Sequence, residues 1–353
     1  GLLVKSALAM RDGLARFAAA GVHAPVLLGG AALTPRFVAE DCAPLHAAPV
    51  VYCADAFAGL EAIRRHERGR LESTRWDPRP ATPRTPGGRG VAEALADAPV
   101  PTPPFFGARH RVDIDPAKVL PRVNRQALFR GRWGFCRGSA TADEHAALLA
   151  REAEPMLAQL EARARRGDLL DLKAAWGWFR CRADGNDLVL AGVDGVERRL
   201  SFPRQSFPPH RCIADFFRTD ADVAGLFVVT AGERALEEAR ALLGADRYRD
   251  YLMLHGFAVE VTEALAEVWH AAMRRELGID AGEDPGSTRR SGRGERYAFG
   301  YPACPDLEAQ RVVFDLIAPS EIGVAISQSA QMIPELSTSA LVVHHPQAEY
   351  FAI

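Results

Sequence analysis

The chain has 353 residues, 48% hydrophobic and 25% charged, with 43 basic against 45 acidic residues and a net charge of -2. That is apolar material enough for more than one buried core, and it leaves no whole-protein field to draw in nucleic acid. Cys42, Cys53, Cys136, Cys181, Cys212 and Cys304 are widely spaced with no CxxC pair, which implies reduced thiols and a cytoplasmic setting. No apolar run reaches the roughly 18 residues that a membrane span needs.

The N-terminal segment "GLLVKSALAM" opens inside an apolar run without an initiator Met, and "EYFAI" stops in a strand-like run. Both ends therefore read as cuts in a longer protein. Residues 1–67 alternate strand and helix. Met10, Leu14 and Phe17 fall on one helical face, "APVLLGGA" is a buried-type strand, and a polar-faced helix begins near Pro35. "APVVYCADA" is a second strand and "FAGLEAIRRHER" a further helix. Strands separated by helices predict a parallel sheet with crossover helices, and so few units predict only part of a doubly wound domain. Residues 68–110 turn Pro-, Arg- and Gly-rich ("RWDPRPATPRTPGGRG", "PVPTPPFFG") and read as an extended linker.

From about residue 111 the pattern is α+β. "TADEHAALLAREAEPMLAQLEARARRGD" predicts a long helix with Thr141 as its N-cap. "WGWFRCRADGNDLVLAG" predicts a hairpin turning at Asp184-Gly185-Asn186. "AGLFVVTAG" is a buried strand, "HGFAVEVTEALAEVWHAAMRREL" a helix long enough to form a core, and the last hundred residues return to short strands.

Four groups of residues could carry chemistry. The pair Gly29-Gly30 ends a parallel strand, where open α/β sheets bind ligands; a tight strand–helix turn explains it equally, and no GxGxxG supports a nicotinamide. Glu260, Glu263 and Glu267 repeat at helical spacing, which ordinarily marks a solvated face, and a lone Glu267-x-x-His270 is thin ground for a metal. His344-His345 reads as structural. Last, "RYAFGYPACP" fits neither a helix nor a strand period and follows an arginine-rich, glycine-rich run. There Arg296 could pair bidentately with a carboxylate, Ala298 and Gly300 leave backbone N–H and C=O groups accessible, and Tyr301 offers a flat face with a hydroxyl. Such a set suits a zwitterionic, purine-bearing ligand as well as it suits a rigid structural turn.

Together "GLLVKSALAM", "PVLLGGAALT", "PVVYCADAF", "PPFFGAR", "ALFRGRWGF", "CIADFF", "FVVTAG", "EALAEVWH", "GYPACPDL" and "HHPQAEYF" stand in the order seen in cobalamin-dependent methionine synthases, and the chain resembles that family along essentially its whole length. The resemblance implies an α/β plus α+β fold: residues 1–67 as the C-terminal part of a Rossmann-like cobalamin-binding domain, 68–110 as linker, and 111–353 as a reactivation domain cut at its C-terminus. It implies a methyltransferase that moves a methyl group from methyltetrahydrofolate to homocysteine through cobalamin. This part would bind S-adenosylmethionine for the reductive remethylation of cob(II)alamin, with a flavodoxin-type or other reductase and upstream homocysteine, folate and cobalamin modules as partners.

By resemblance, Arg296, Ala298, Gly300 and Tyr301, with Tyr350 and Phe351 on a second contact strand and Glu263 on the helix, form the S-adenosylmethionine site. Asn124 stands where the family has an aspartate. Gly29, Gly30, Ala31 and Ala56, with Val4 where a threonine is usual, match contacts to cobalamin. The DxHxxG motif that supplies the cobalt's histidine ligand would lie upstream, zinc belongs to modules absent here, and no catalytic or metal-ligating residue is expected in this segment. The rival reading is a stand-alone, non-catalytic corrinoid-binding or reactivating accessory protein that works in trans; an unrelated α+β protein with a chance GYPACP is the third.

Overall fold

The computed structural model describes residues 4–29, 33, 35–53, 56–75, 99–138, 140–279, 293–327 and 330–351. In the N-terminal part, the helix Val4–Ala19 precedes β1 (Val26–Gly29), and a short helix from Pro35 leads through a π-turn to β2 (Val50–Cys53) and then to the helix Ala56–Glu67. β1 and β2 pair in parallel, Val26 opposite Val50 and Gly29 opposite Cys53. Leu14 and Leu28 help fill the small core on this unit, whereas Phe17, predicted to share that face, stays 47% exposed. Residues Ser73 and Thr74 accept hydrogen bonds from Val50 N and Tyr52 N through their hydroxyls, so side chains past the last helix satisfy the strand's edge.

A second unit is built on a seven-stranded antiparallel sheet of order β6-β5-β4-β7-β11-β8, with β3 on β4. Its strands are β3 (Gly107–Arg111), β4 (Lys173–Asp184), β5 (Asp187–Ala191), β6 (Glu197–Ser201), β7 (Asp222–Thr230), β8 (Glu295–Ala298) and β11 (Ser337–Val343); β9 (Ala325–Ile326) and β10 (Met332–Ile333) form a small separate ribbon. β4 is long enough to share one edge between β3, opposite residues 174–178, and β5, opposite residues 180–184. The linker segment read from composition therefore holds structured chain at its end: β3 belongs to the sheet, and Val100 and Phe105 pack against the main core. The β4–β5 hairpin turns at Gly185-Asn186, as its Asp-Gly-Asn signal predicts, with Asp184 opposite Asp187.

Period-two alternation splits the strands between two cores. Trp178, Phe227 and Val342 face the long helix Tyr248–Glu276 and the helix Glu154–Arg166, while Phe179, Leu226 and Leu341 face the helix Gln310–Ile317 and the turn Ile213–Phe216. β7, predicted as a buried strand, is buried at every position because both faces are covered. The helix after Thr141 begins with a full capping box, Thr141 Oγ1 accepting from Glu144 N and Glu144 accepting from Thr141 N. It is not one continuous α-helix; a π-turn at Leu149–Ala153 separates Ala142–Leu148 from Glu154–Arg166.

Candidate functional site

The site grows from β8, an edge strand paired only with β11 among the described strands. Three residues of the stretch that fits no period, Arg296 to Ala298, thus belong to a strand, Arg296 opposite Val342 and Ala298 opposite Ala340. Alternation sends Glu295 and Tyr297 to one face and Arg296 and Ala298 to the other. Tyr297 is fully buried against Phe216 and donates its hydroxyl to Glu349 O at 2.7 Å. That contact anchors the strand from behind and leaves Arg296 facing the long helix.

The turn after β8 is closed by backbone. Gly300 N donates to Cys304 O at 2.8 Å and Cys304 N to Tyr301 O at 2.9 Å. Gly300 has φ +87, and a Cβ there would meet Leu307 Cδ2 at 2.8 Å, so glycine is needed for both angle and space. The turn is rigid because its hydrogen bonds are internal, and it holds Tyr301 half-buried beside Arg296.

Arg296 reaches the acidic row of the long helix. Its Nη2 donates to Glu267 Oε1 at 2.8 Å and lies 3.6 Å from Glu263 Oε2; its side chain is only 10% exposed. Its Nε is buried without a hydrogen-bond partner. One turn back, Glu260 takes Arg132 Nε at 2.9 Å. The glutamate row is therefore not a solvated face: each carboxylate meets an arginine, and Glu260 is 5% exposed. Arg132 is brought there by its neighbour Trp133, whose indole donates to Met253 O and packs against Gly256, where a Cβ would crowd the ring.

Burial, followed by the nearby Glu263 charge, pushes the Tyr301 phenol above its usual pKa; Arg296 and Arg132 partly offset this, and Tyr350 adds to it. Tyr301 stays a neutral hydrogen-bonding group at physiological pH. Arg296, Glu263, Glu267, Tyr301, Arg132 and Tyr350 thus form one neighbourhood in which a single free-edged guanidinium, two carboxylates and an aromatic can meet a small polar ligand.

The remaining predicted positions divide. Tyr350 is 48% exposed, but Phe351 is buried in the core, tilted against Phe216 and Tyr297, so its ring packs rather than presenting to a ligand. Residues 349–351 do not form the expected strand; the Tyr297 hydroxyl holds them in place of a ladder. Asn124 uses its side-chain oxygen to accept from Ala127 N at 3.0 Å and lines an open groove with Gln126, Arg130, Gly131 and Cys136, a lining that includes neither Arg296 nor Tyr301. Val4 and Ala56 begin helices, Gly29 ends β1, and Gly30 and Ala31 lie outside the described residues. His270 is buried on the long helix, and among the described residues no group of three or more His, Cys, Asp or Glu could hold a metal ion. No helix among them is long and apolar enough to cross a membrane.

His344 and His345 are structural, as their sequence context suggests. His344 Nε2 pairs with buried Asp222 at 2.6 Å. Burial, reinforced by His344, pushes His345 down to about 4, and its Nδ1 accepts from Gln347 N.

Sequence reasoning missed Arg132 and Glu267 as members of the site. The signal was available: a helix with so many buried apolar positions has no broad wet face, so three glutamates in a row on it need cationic partners.

An antiparallel sheet flanked by helices, with a buried arginine on its edge strand facing paired carboxylates, defines a mixed α+β domain. The family described as "Vitamin B12 dependent methionine synthase, activation domain" matches residues 127–353, and the chain belongs to it. The chain is 36% identical to methionine synthase of Mycobacterium tuberculosis and 35% to that of Mycobacterium leprae, in each case over 100% of this chain and 34% of the relative. It thus spans about a third of the length of these curated relatives. Its fold is similar to a crystal structure of the MetH reactivation domain bound to AdoHcy, with TM-score 0.60, 22% identity and coverage of 72% of this chain and 84% of that one.

Proposed function

We propose that this chain binds S-adenosylmethionine at the Arg296 neighbourhood and serves the reductive remethylation of cobalamin within a methionine synthase, a cytoplasmic methyltransferase acting on homocysteine and methyltetrahydrofolate. The observation that carries the reading is Arg296: a nine-tenths-buried guanidinium, anchored by Glu267, with an unpartnered Nε, in a chain of the activation-domain family. A buried N–H without an acceptor costs about 1–3 kcal/mol, and a ligand carboxylate would remove that cost. The solved relative bound to AdoHcy, the demethylated form of the same ligand, supports this choice.

In this reading the ligand's carboxylate meets Arg296, its adenine or amino groups meet the backbone at Ala298 and Gly300, and Tyr301 and Tyr350 pack along it. Glu263 faces its cationic part. Phe351 contributes through backbone alone, and Asn124 contacts the ligand only if the segment around it shifts.

The N-terminal unit is the proposed C-terminal part of a cobalamin-binding domain, joined by a linker within residues 68–110 to a reactivation domain from about 111. Its fit to cobalamin rests on Gly29, which stands at the carboxyl end of a parallel strand, where a Cβ would lie 3.2 Å from Cys53 O and crowd β2. Gly29, Gly30 and Ala31, with Val4 and Ala56, would line the corrinoid. When bound, cobalamin supplies the cobalt that carries the methyl group. A flavodoxin-type reductase and homocysteine, folate and cobalamin modules are the proposed partners. Relatives named methionine synthase do not favour the accessory-protein reading.

The test is calorimetric titration of S-adenosylmethionine into the full chain. Saturable one-to-one binding that Arg296→Ala abolishes is expected. A folded chain that shows no heat of binding would overturn the reading.

A further inference from the structure

The segment after β11 reaches the site without a ladder. β11 ends at Val343, opposite Glu295 of β8. The chain then turns, Ala348 N donating to His345 O at 3.0 Å and Gln347 N to His345 Nδ1 at 3.1 Å. Past this self-closed turn, Glu349 O accepts the Tyr297 hydroxyl at 2.7 Å. The Phe351 ring packs on Tyr297 and Phe216, with centroids 5.9 and 6.3 Å away. Outside, Arg211 pairs with the Glu349 carboxylate, and the loop that carries Arg211 is itself closed, Gln205 N donating to Arg211 O and Arg211 N to Gln205 Oε1. Tyr350 stands between these two held residues. It is 48% exposed and close enough to Tyr301 to add to the rise in that phenol's pKa. Tyr297 thus takes part in both sides of the site. Its backbone lies in β8 between Arg296 and Ala298, opposite Leu341. Its hydroxyl is fully buried, and burial, followed by the Glu295 charge, holds the phenol well above its usual range, so it remains a donor. Packing on Phe216 and Phe351 asks only for the ring; the bond to Glu349 asks for the oxygen.

We propose that Tyr297 is a positioning residue whose hydroxyl, bonded to Glu349 O, sets Tyr350 in register with Arg296 and Tyr301, so that a ligand meets both sides of the site already in place. The inference rests on the S-adenosylmethionine reading above and deepens it. Alternation along β8 points Tyr297 away from the face of Arg296 and Ala298, so Tyr297 acts through Tyr350 and not by contact with the ligand. The physical reason is the missing ladder. A strand is fixed by bonds at every second residue, whereas residues 349–351 depend on side chains for their place. Without the Tyr297 bond this segment has more positions open to it. A competent arrangement populated only part of the time weakens the apparent affinity in proportion, and a segment held in advance has less ordering left to do when the ligand arrives. Arg211 holds the same residue from the partly exposed side, where a salt bridge contributes less than a buried hydrogen bond.

The experiment is a double-mutant cycle in the full chain, with S-adenosylmethionine titrated calorimetrically into the unmodified protein, Tyr297→Phe, Tyr350→Ala, the two combined, and Arg296→Ala. Tyr297→Phe keeps the ring and removes the hydroxyl. It should weaken binding by about three- to tenfold when Tyr350 is present and by less than about twofold when Tyr350 is already alanine. Hydrogen exchange in Tyr297→Phe should speed up at residues 347–351 while β8 and β11 keep their protection. Arg211→Ala, which loosens the same segment from its exposed side, should give the same pattern at smaller size and carries the test if Tyr297→Phe does not fold. A merely structural role, or one exercised through β8 and Arg296, would lower affinity by the same factor with and without Tyr350. That result overturns the inference and leaves the binding site standing, as does a Tyr297→Phe chain that binds as tightly as the unmodified one or a Tyr350→Ala chain that loses no affinity. If the unmodified chain binds no S-adenosylmethionine, or Arg296→Ala leaves its affinity unchanged, the site reading itself fails and this inference falls with it.

Discussion

The two units of the chain differ in how much core each element commands. The parallel pair β1–β2 is backed by Leu14, Leu28, Leu33, Val38, Cys42 and Val50 on one side and by Val51, Cys53 and Ala62 on the other. Leu60 and Ile63, on the helix after β2, remain nearly half exposed. The antiparallel sheet instead lies between two extensive cores that bury whole aromatic rings, among them Trp178, Phe179, Phe227 and Phe257. Element quality is similar in both: regular helices, paired strands, sensible turns. What separates them is burial per element, and burial is what stabilises. The Arg296 neighbourhood sits in the well-buried unit, where a strand clamped from behind by Tyr297 can hold an arginine still; the cobalamin contacts proposed at Gly29 sit in the sparse one.

The largest effect that tests this contrast is expected at Trp178, which is fully buried and donates its indole N–H to Glu276 at 2.8 Å. Trp178→Ala removes that volume and one of the two indole hydrogen bonds that Glu276 accepts, the other coming from Trp176, at a cost of about 3–5 kcal/mol, read as a lowered midpoint in chemical denaturation. A loss under 1 kcal/mol would mean that the sheet does not depend on this core. Next comes Arg296→Ala. It should cost about 2–4 kcal/mol in S-adenosylmethionine binding with the unfolding midpoint little changed; an unaltered dissociation constant would remove Arg296 from the site.

Leu14→Ala sharpens the contrast from the other side. Leu14 is 1% exposed in the small core, so the change should cost the N-terminal unit about 2–3 kcal/mol while S-adenosylmethionine binding stays as it was. Hydrogen exchange resolved along the chain reads both at once, and weaker ligand binding in that variant would show that the units are energetically coupled.

A smaller effect follows from His345. Burial holds its pKa at about 4, below the ordinary 6.5, so the unfolded chain binds a proton that the folded chain refuses. Stability should therefore rise with pH between about 4 and 6.5, by at most about 1.4 kcal/mol per pH unit. His345→Phe should flatten that part of the profile, and an unchanged slope would assign it to other groups.

Local rules in the sequence read well where one residue decides. Thr141 with Glu144 starts a helix, and Gly185-Asn186 turns a hairpin. Local rules fail where the decision is made across the fold. "RYAF" has no visible period because Arg296 is neither exposed nor apolar; its alternation with Tyr297 shows only once Glu267 on the long helix supplies the charge that lets an arginine face inward. The glutamate row looked solvated because its partners, Arg132 and Arg296, are 128 and 29 residues away in sequence. Phe351 reads as a contact because the resemblance places it with Tyr350 on a contact strand; nothing local says that its ring turns into the core. The end of the 68–110 segment hides its structure because prolines at 101, 103 and 104 mask a chain that enters the sheet at Gly107.

The smallest expected effect is at Cys304, and it separates two ways in which the GYPACP turn could be rigid. Cys304 is 2% exposed among apolar neighbours, and burial pushes its thiol well above the usual range, so it stays protonated and unreactive. The turn is held by Gly300 N to Cys304 O and by Cys304 N to Tyr301 O, bonds that any residue but proline at position 304 supplies. If backbone closure makes the turn rigid, Cys304→Ser keeps Tyr301 and Arg296 in place, and S-adenosylmethionine affinity changes by less than about twofold. The only cost is then in stability, about 1–2 kcal/mol for a hydroxyl buried where a thiol was. If instead the sulfur's packing sets the turn, affinity and stability should fall together. Measuring both in the one variant tells a site built on backbone geometry from one built on side-chain fit, and the hydrogen bonds on both flanks of Tyr301 argue for the first.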